Sequence, residues 1–184
     1  MKGEQAFNVC PLGEIDDRIL GVRWVTTTGT PYFLFVHGRR EQTGSFDLII
    51  DDSINDECQY ALGPIELGKP ITGTNVGAQS YLGTMCGNVT TSSSRNVWYT
   101  IEGTGGVVTA ETTCEGTDMQ SQLMVWTGSC DNLVCIAGSE PGTSCENSAK
   151  VTWTSSAGTL YYIIVKGKAW NEEGLFELIV RGET

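Results

Sequence analysis

Apolar and polar residues alternate with a period of two along much of this chain, the spacing of strands with one covered face. Val97, Tyr99 and Ile101 alternate with their neighbours, as do Val108 and Ala110 with Thr109 and Glu111. Leu123 and Val125 point one way, Met124 and Trp126 the other. Val151 and Trp153 stand between Lys150, Thr152 and Thr154. Tyr161, Ile163 and Val165 form one face, and Phe176, Leu178 and Val180 another. Shorter strands are expected near 60–67, 70–73 and 133–137, and no segment carries the pattern of a long helix. Eight or nine short strands joined by Gly-rich turns predict an all-β sandwich or barrel.

The same pattern occurs twice. Residues 23–38 read RWVTTTGTPYFLFVHG and residues 152–167 read TWTSSAGTLYYIIVKG. Trp24 matches Trp153, Gly29 matches Gly158, Tyr32 matches Tyr161, Val36 matches Val165 and Gly38 matches Gly167, each pair 129 positions apart. After one inserted residue the match resumes, GSFDLII at 44–50 against GLFELIV at 174–180. That period is domain-sized. Residues 53–184 therefore read as one complete repeat and residues 1–52 as the C-terminal part of a preceding copy. The polar stretch from Asp51 to Glu57 is the boundary. Met1-Lys2-Gly3-Glu4-Gln5-Ala6 lacks the apolar segment of a signal peptide, as a start inside a repeat would. In the partial copy Tyr32, Leu34, Val36, Phe46, Leu48 and Ile50 need a partner surface, on the complete domain or on another molecule, because two or three strands cannot bury a face alone.

Charge narrows the partners. The chain has 22 Asp+Glu against 11 Lys+Arg, a net charge of −11, which repels nucleic acid and anionic membranes. No apolar run approaches the roughly 20 residues that span a bilayer. The seven cysteines form no C-x-x-C pair and lie far from the one histidine, which counts against zinc. They fit disulfides and an oxidising, extracellular or cell-surface compartment. Cys10 is the odd one, in the partial copy, and is expected to be free.

The stretch Asn55-Asp56-Glu57-Cys58, with Cys86-Gly87, Val97-Trp98-Tyr99, Thr113-Cys114, Gly128-Ser129-Cys130, Leu133-Val134-Cys135 and Gly158-Thr159-Leu160-Tyr161, resembles the pre-peptidase C-terminal-like β-sandwich repeats. Such repeats occur in secreted bacterial proteins and in tandem in cell-surface proteins of algae such as diatoms. The resemblance spans nearly all of 55–181, and its last motif recurs in 23–50. It implies a jelly-roll-like sandwich without an active site, used as a spacer, adhesive or substrate-binding unit. It also implies the pairs Cys58–Cys86, Cys114–Cys130 and Cys135–Cys145. Some members hold calcium in Asp-rich loops. Here Met119-Gln120-Ser121 and Gly138-Ser139-Glu140-Pro141 stand where those loops carry Asp, which counts against calcium there.

Candidate chemistry is sparse. His37, matched by Lys166 in the second copy, reads as a surface residue, and without a second imidazole no Ser-His-Asp or Cys-His constellation is available. Glu14-Ile15-Asp16 opens like a sandwich-glycosidase E-x-D-x-x-E strand, but position 19 is Ile, so a glycan-acting hydrolase is the third reading. Asp51, Asp52 and Asp56, with Asn55 and Glu57, are the candidate calcium ligands, against a solvated linker. Trp98, Trp126 and Trp170 are candidates for stacking on sugar rings, against packing in a core. Asn88-Val89-Thr90 is a glycosylation sequon. The sequence thus points to a non-catalytic structural or adhesive module without a cofactor. Its expected partners are neighbouring repeats or other copies of itself. A carbohydrate-binding module is the alternative.

Overall fold

A computed structural model describes residues 27–38, 43–45, 48, 50, 55–80, 85–89, 94–142 and 144–182. The chain divides into two units, Met1–Asp52 and Ser53–Thr184, and each is described by itself.

Among its described residues the second unit holds eight strands: β1 Ile71–Thr74, β2 Asn96–Glu102, β3 Val107–Thr112, β4 Ser121–Ser129, β5 Asn132–Ser139, β6 Lys150–Thr154, β7 Leu160–Gly167 and β8 Leu175–Gly182. They form two antiparallel four-stranded sheets, in the orders β1-β8-β3-β6 and β2-β7-β4-β5. Only β4 and β5 are joined as a hairpin within one sheet; every other connection crosses to the opposite sheet. That order is a jelly-roll sandwich: the alternation and turn spacing predict a sandwich or barrel, and the jelly-roll form is the one the resemblance implies.

Between the sheets the anticipated side chains meet. Val97, Tyr99 and Ile101 of β2, Leu123 and Val125 of β4 and Tyr161, Ile163 and Val165 of β7 face Val108, Ala110, Val151, Trp153, Phe176, Leu178 and Val180. Tyr99 and Phe176 meet edge-to-face with ring centroids 6.2 Å apart, and Trp153 lies 5.9 Å from Tyr161. Pairs of this kind add about 1 kcal/mol each beyond the area they bury.

The two sheets differ in their outer faces. β3, β6 and β8 alternate buried with more accessible positions, so the outer face of their sheet meets water. β2, β4 and β7 are buried at nearly every position. Their outward side chains Trp98, Met124, Trp126, Tyr162 and Ile164 form a second cluster with Cys86 and Val89 from the β1–β2 crossover. Cys58, Ala61, Leu133 and Cys135 pack at its margin. Runs such as Tyr161–Val165, apolar at every position, are the sequence mark of a strand covered on both faces.

The strand expected at 60–67 is replaced by a short 3-10 turn, Cys58–Tyr60, and an isolated bridge between Leu62 and Tyr99. The segment does run beside β2: Leu62 N–H donates to Trp98 O (3.0 Å), Thr100 N–H to Leu62 O (2.8 Å) and Ile65 N–H to Thr100 O (2.8 Å). Pro64 has no amide hydrogen with which to continue the ladder.

In the first unit the described residues of 30–38 lie outside any strand, though the repeat predicts one there. The turn before them is closed by Thr30 N–H donating to Thr27 O at 3.0 Å, with Gly29 at φ 78°. Phe46 lies outside the described residues.

Candidate functional site

The outer face of the β2-β7-β4-β5 sheet carries Trp98 and Trp126, two of the three tryptophans that are candidates for stacking on a ligand, so its contents bear on what the molecule can do. Two loops cover it, and two disulfides fasten them: Cys58 to Cys130 with Cα atoms 5.6 Å apart, and Cys86 to Cys135 at 5.4 Å. The third, Cys114–Cys145 at 5.9 Å, ties the end of β3 to the segment entering β6, its neighbour in the other sheet. All three Cα spacings lie in the range of disulfide bridges.

The six cysteines expected to form disulfides do so in the structure, but the pairs implied by the resemblance are corrected. Cys58–Cys86, Cys114–Cys130 and Cys135–Cys145 are replaced by Cys58–Cys130, Cys86–Cys135 and Cys114–Cys145. The reason is topological. Cys130 and Cys135 both belong to the β4–β5 hairpin, and each fastens a loop that arrives from an earlier part of the chain. Pairing follows neighbours in space, while the expected pairs followed neighbours in sequence. Cys10 lies outside the described residues.

The fastening is tight. Gly138 of β5 lies against Cys86 O so closely that a β-carbon there would strike the carbonyl. The Cys86–Val89 turn closes with Val89 N–H donating to Cys86 O at 3.1 Å. Asn88 projects from this turn into solvent, as a glycosylation acceptor would, while Thr90 of the sequon lies outside the described residues. On the other loop Asn55 is buried and its amide donates to Trp98 O at 3.0 Å.

Trp98 and Trp126 are therefore not open to sugar rings. Trp98 is 1% exposed, and its indole N–H donates to Asn96 Oδ1 at 2.9 Å. Trp126 is likewise buried in the same cluster. Both tryptophans were expected opposite the main core, and there they are, but under a second core. Trp170, 72% exposed, sits on the β7–β8 connection beside an open groove formed by Gly77, Ala78, Gln79, Ser80 and Arg95. Arg95 Nη1 donates to Ala78 O at 3.1 Å and its guanidinium pairs with Glu173.

Asp56 is buried, and its Oδ2 accepts the Gln79 N–H at 2.8 Å, which gives it a structural task in holding the loop. Asp51 and Asp52 lie outside the described residues. Among the described residues no group of three or more His, Cys, Asp or Glu side chains is placed to hold a metal. His37 is exposed, and its Nδ1 lies 2.9 Å from the neighbouring Gly38 O. Glu14 and Asp16 lie outside the described residues.

Its counterpart Lys166 is a feature the sequence reading missed. Lys166 is 3% exposed and sits between Asn96 of β2 and Gln122 of β4, its register partners, both buried. Gln122 Nε2 donates to Glu140 Oε2 at 2.8 Å, so an amide, an amine, an amide and a carboxylate form a row across the sheet. The readable signal was that the three strands each place a polar residue where their outward apolar run ends. Burial holds the Lys166 ammonium below its ordinary 10.5, and the field of Glu140 opposes that shift without cancelling it. Between the lowered value and 10.5 the unfolded chain binds more protons than the folded one, so stability rises with pH through that window. Lys166→Met is expected to lack this rise, since it has no group that titrates in that window. Melting curves of the two proteins from neutral pH upward test this; a parent that loses stability relative to the variant as pH rises contradicts it.

The fold and these contents define a disulfide-stapled jelly-roll module in which the outer face of one sheet carries a second apolar cluster and that of the other meets water. No protein-family model matches the sequence, and no curated protein matches it. Among solved structures, the chain is similar to the pre-peptidase C-terminal domain of collagenase from Bacillus anthracis, at 15% identity and a TM-score of 0.42, covering 64% of this chain and 91% of that one. The assignment of fold rests on the strand order above.

Proposed function

We propose that this chain is a non-catalytic structural or adhesive module of an extracellular or cell-surface assembly, joined to neighbouring repeats or to other copies of itself. Residues 53–184 act as a complete repeat and residues 1–52 as the end of a preceding one. The observation that carries the reading is the filled outer face of the β2-β7-β4-β5 sheet. A ligand-binding sandwich would leave the centre of that face open, whereas here two covalently fastened loops pack against it and bury Trp98, Met124, Trp126, Tyr162 and Ile164 in a second core. Such an arrangement lends durability, and three disulfides are compatible with an extracellular location. The reading needs no cofactor.

The test is made on the source cells. An antibody to residues 53–184 should label intact, unpermeabilised cells or their matrix. The extracted protein should resist alkylation at the six cysteines of that unit until it is reduced. A signal confined to the cell interior, with thiols open to alkylation, refutes the proposal.

A carbohydrate-binding role is favoured by one observation, the open indole of Trp170 beside Gln79 and Arg95. Under the structural reading, tryptophan fluorescence is unchanged across a panel of extracellular glycans. A saturable change that Trp170→Ala abolishes selects the carbohydrate reading instead. Because Trp170 is exposed, that substitution should shift stability by no more than about 0.5 kcal/mol, so lost binding could not be blamed on unfolding. Release of sugar from a glycan, abolished by Glu14→Gln, would select the hydrolase.

A further inference from the structure

At one end of the β2-β7-β4-β5 sheet an amine and a carboxamide are enclosed side by side. Gln122 of β4 and Lys166 of β7 are register partners on neighbouring antiparallel strands, and both are buried. Side chains in such positions start from Cβ atoms about 5 Å apart on one face of a sheet. The faces agree: Gln122 stands two residues before Met124 and Lys166 two after Ile164, both members of the outer cluster. Glu140, just past the end of β5, completes the group. Its Oε2 accepts the Gln122 Nε2–H at 2.8 Å, and its carboxylate is near enough to act on the Lys166 amine.

Each group is in the state that amide exchange requires. Burial disfavours the charged ammonium, so more of Lys166 is neutral amine than on a surface lysine, and the neutral amine is the nucleophile. Gln122 Oε1 is buried and accepts no hydrogen bond from the described residues, so the carboxamide is held through its nitrogen. That nitrogen, the atom that has to leave, already rests on a carboxylate. Asn96, the register partner of Lys166 on β2, is the poorer acceptor. Its Oδ1 takes the Trp98 indole N–H at 2.9 Å and its Nδ2 donates to Ser94 O at 3.4 Å, so both ends of its amide serve the fold. Burial of Gln122 and Lys166 also keeps water from competing for the carboxamide carbon.

We propose that Lys166 and Gln122 join in an isopeptide bond within the folded chain, with Glu140 carrying the proton. The Lys166 Nζ lone pair attacks Gln122 Cδ, and the Nζ–Cδ bond forms. Glu140 takes one proton from Nζ and passes it to Nε2. The Cδ–Nε2 bond then breaks, and its electron pair leaves with the nitrogen as ammonia. An amine and a primary amide become a secondary amide and ammonia; nothing is oxidised or reduced, and no co-reactant is consumed. Escape of ammonia into solvent favours the product, as does the removal of a buried amine that folding otherwise desolvates. The link ties β4 to β7 and is not opened by reduction, unlike the three disulfides of the same unit. It goes beyond the assembly reading and does not depend on it.

The test is the intact mass of the full chain after complete reduction. It is expected to fall short of the sequence mass by one ammonia. Proteolysis is expected to give a branched peptide that joins Lys166 to Gln122, with no tryptic cut after Lys166. Glu140→Gln and Lys166→Met are expected to show no such deficit and no branch. A parent of full mass without a branched peptide overturns the proposal, whether or not the variants fold. A deficit of one ammonia without a branch overturns it too, and a branch at Asn96 overturns the assignment to Gln122. A branch that persists in Glu140→Gln overturns the role of Glu140. The pH dependence described for Lys166 belongs to chains in which the bond has not formed, and it is read on protein of full mass. Surface labelling and thiol protection on source cells are unaffected by any of these results, so the assembly reading and this inference fail separately.

Discussion

Replacing both Cys86 and Cys135 by alanine is expected to destabilise the second unit by about 4 kcal/mol, the chain-entropy value for a loop of this size. The bridge spans 49 residues, so its loss returns a large loop to the unfolded ensemble. It also loosens a packed surface. Cys86 is fully buried, and its carbonyl lies against Gly138 of β5, so the bridge holds this part of the β1–β2 crossover to the sheet edge. Without the bridge, Val89 and Trp98 share a lid that can lift. Urea unfolding of parent and double variant, fitted with a common slope, gives the difference directly. A change below about 1 kcal/mol would mean that the apolar cluster holds the loop without help, and the stapled-face account of function would lose its support. The comparison should be made with both cysteines replaced, because a single replacement leaves a reactive thiol that can attack Cys58–Cys130.

Much of the fold was legible because period-two alternation reports the inward face of a strand whether or not its partners are known. Val97, Tyr99 and Ile101, Leu123 and Val125, and Phe176, Leu178 and Val180 all stand where that pattern put them. What the pattern cannot report is which strands lie side by side. In a jelly roll almost every connection crosses between sheets, so neighbours in sequence are seldom neighbours in space, and the implied cysteine pairs failed for that reason. The second core was half legible. Met124 and Trp126 were seen to face away from Leu123 and Val125, but nothing in β4 says whether an outward tryptophan meets water or a loop. That is set by Cys58 and Cys86, far off along the chain. Lys166 went unread for the same reason: the alternation marks it only as a polar position, and the cross-strand row with Asn96 and Gln122 is what shows it buried. The strand expected over 60–67 was lost to a local cause, the missing amide hydrogen of Pro64.

Trp98→Ala is expected to cost about 4 kcal/mol, within the range for removing a buried tryptophan from a packed cluster. Three contacts set the size of the effect. The ring is edge-on to Tyr162 at 6.4 Å, the indole N–H donates to Asn96 Oδ1 at 2.9 Å, and the side chain is packed in the apolar cluster on the outer face of the sheet. Removing the ring leaves a cavity and strips Asn96, itself buried, of its donor, a further cost of about 1–3 kcal/mol if no water enters. Trp98→Phe separates the two contributions, since it keeps most of the apolar volume and deletes the donor; it should lose less than the alanine variant. The same pair of variants discriminates between functions. A tryptophan that stacks on a ligand can be truncated at small cost to folding and large cost to binding, whereas one that supports a lid does the reverse. Equilibrium unfolding of Trp98→Ala beside Trp170→Ala therefore asks the molecule which role each indole has. A Trp98→Ala protein as stable as the parent would mean that the outer face of the sheet is open in solution, and with it the reading of a closed structural module would fall.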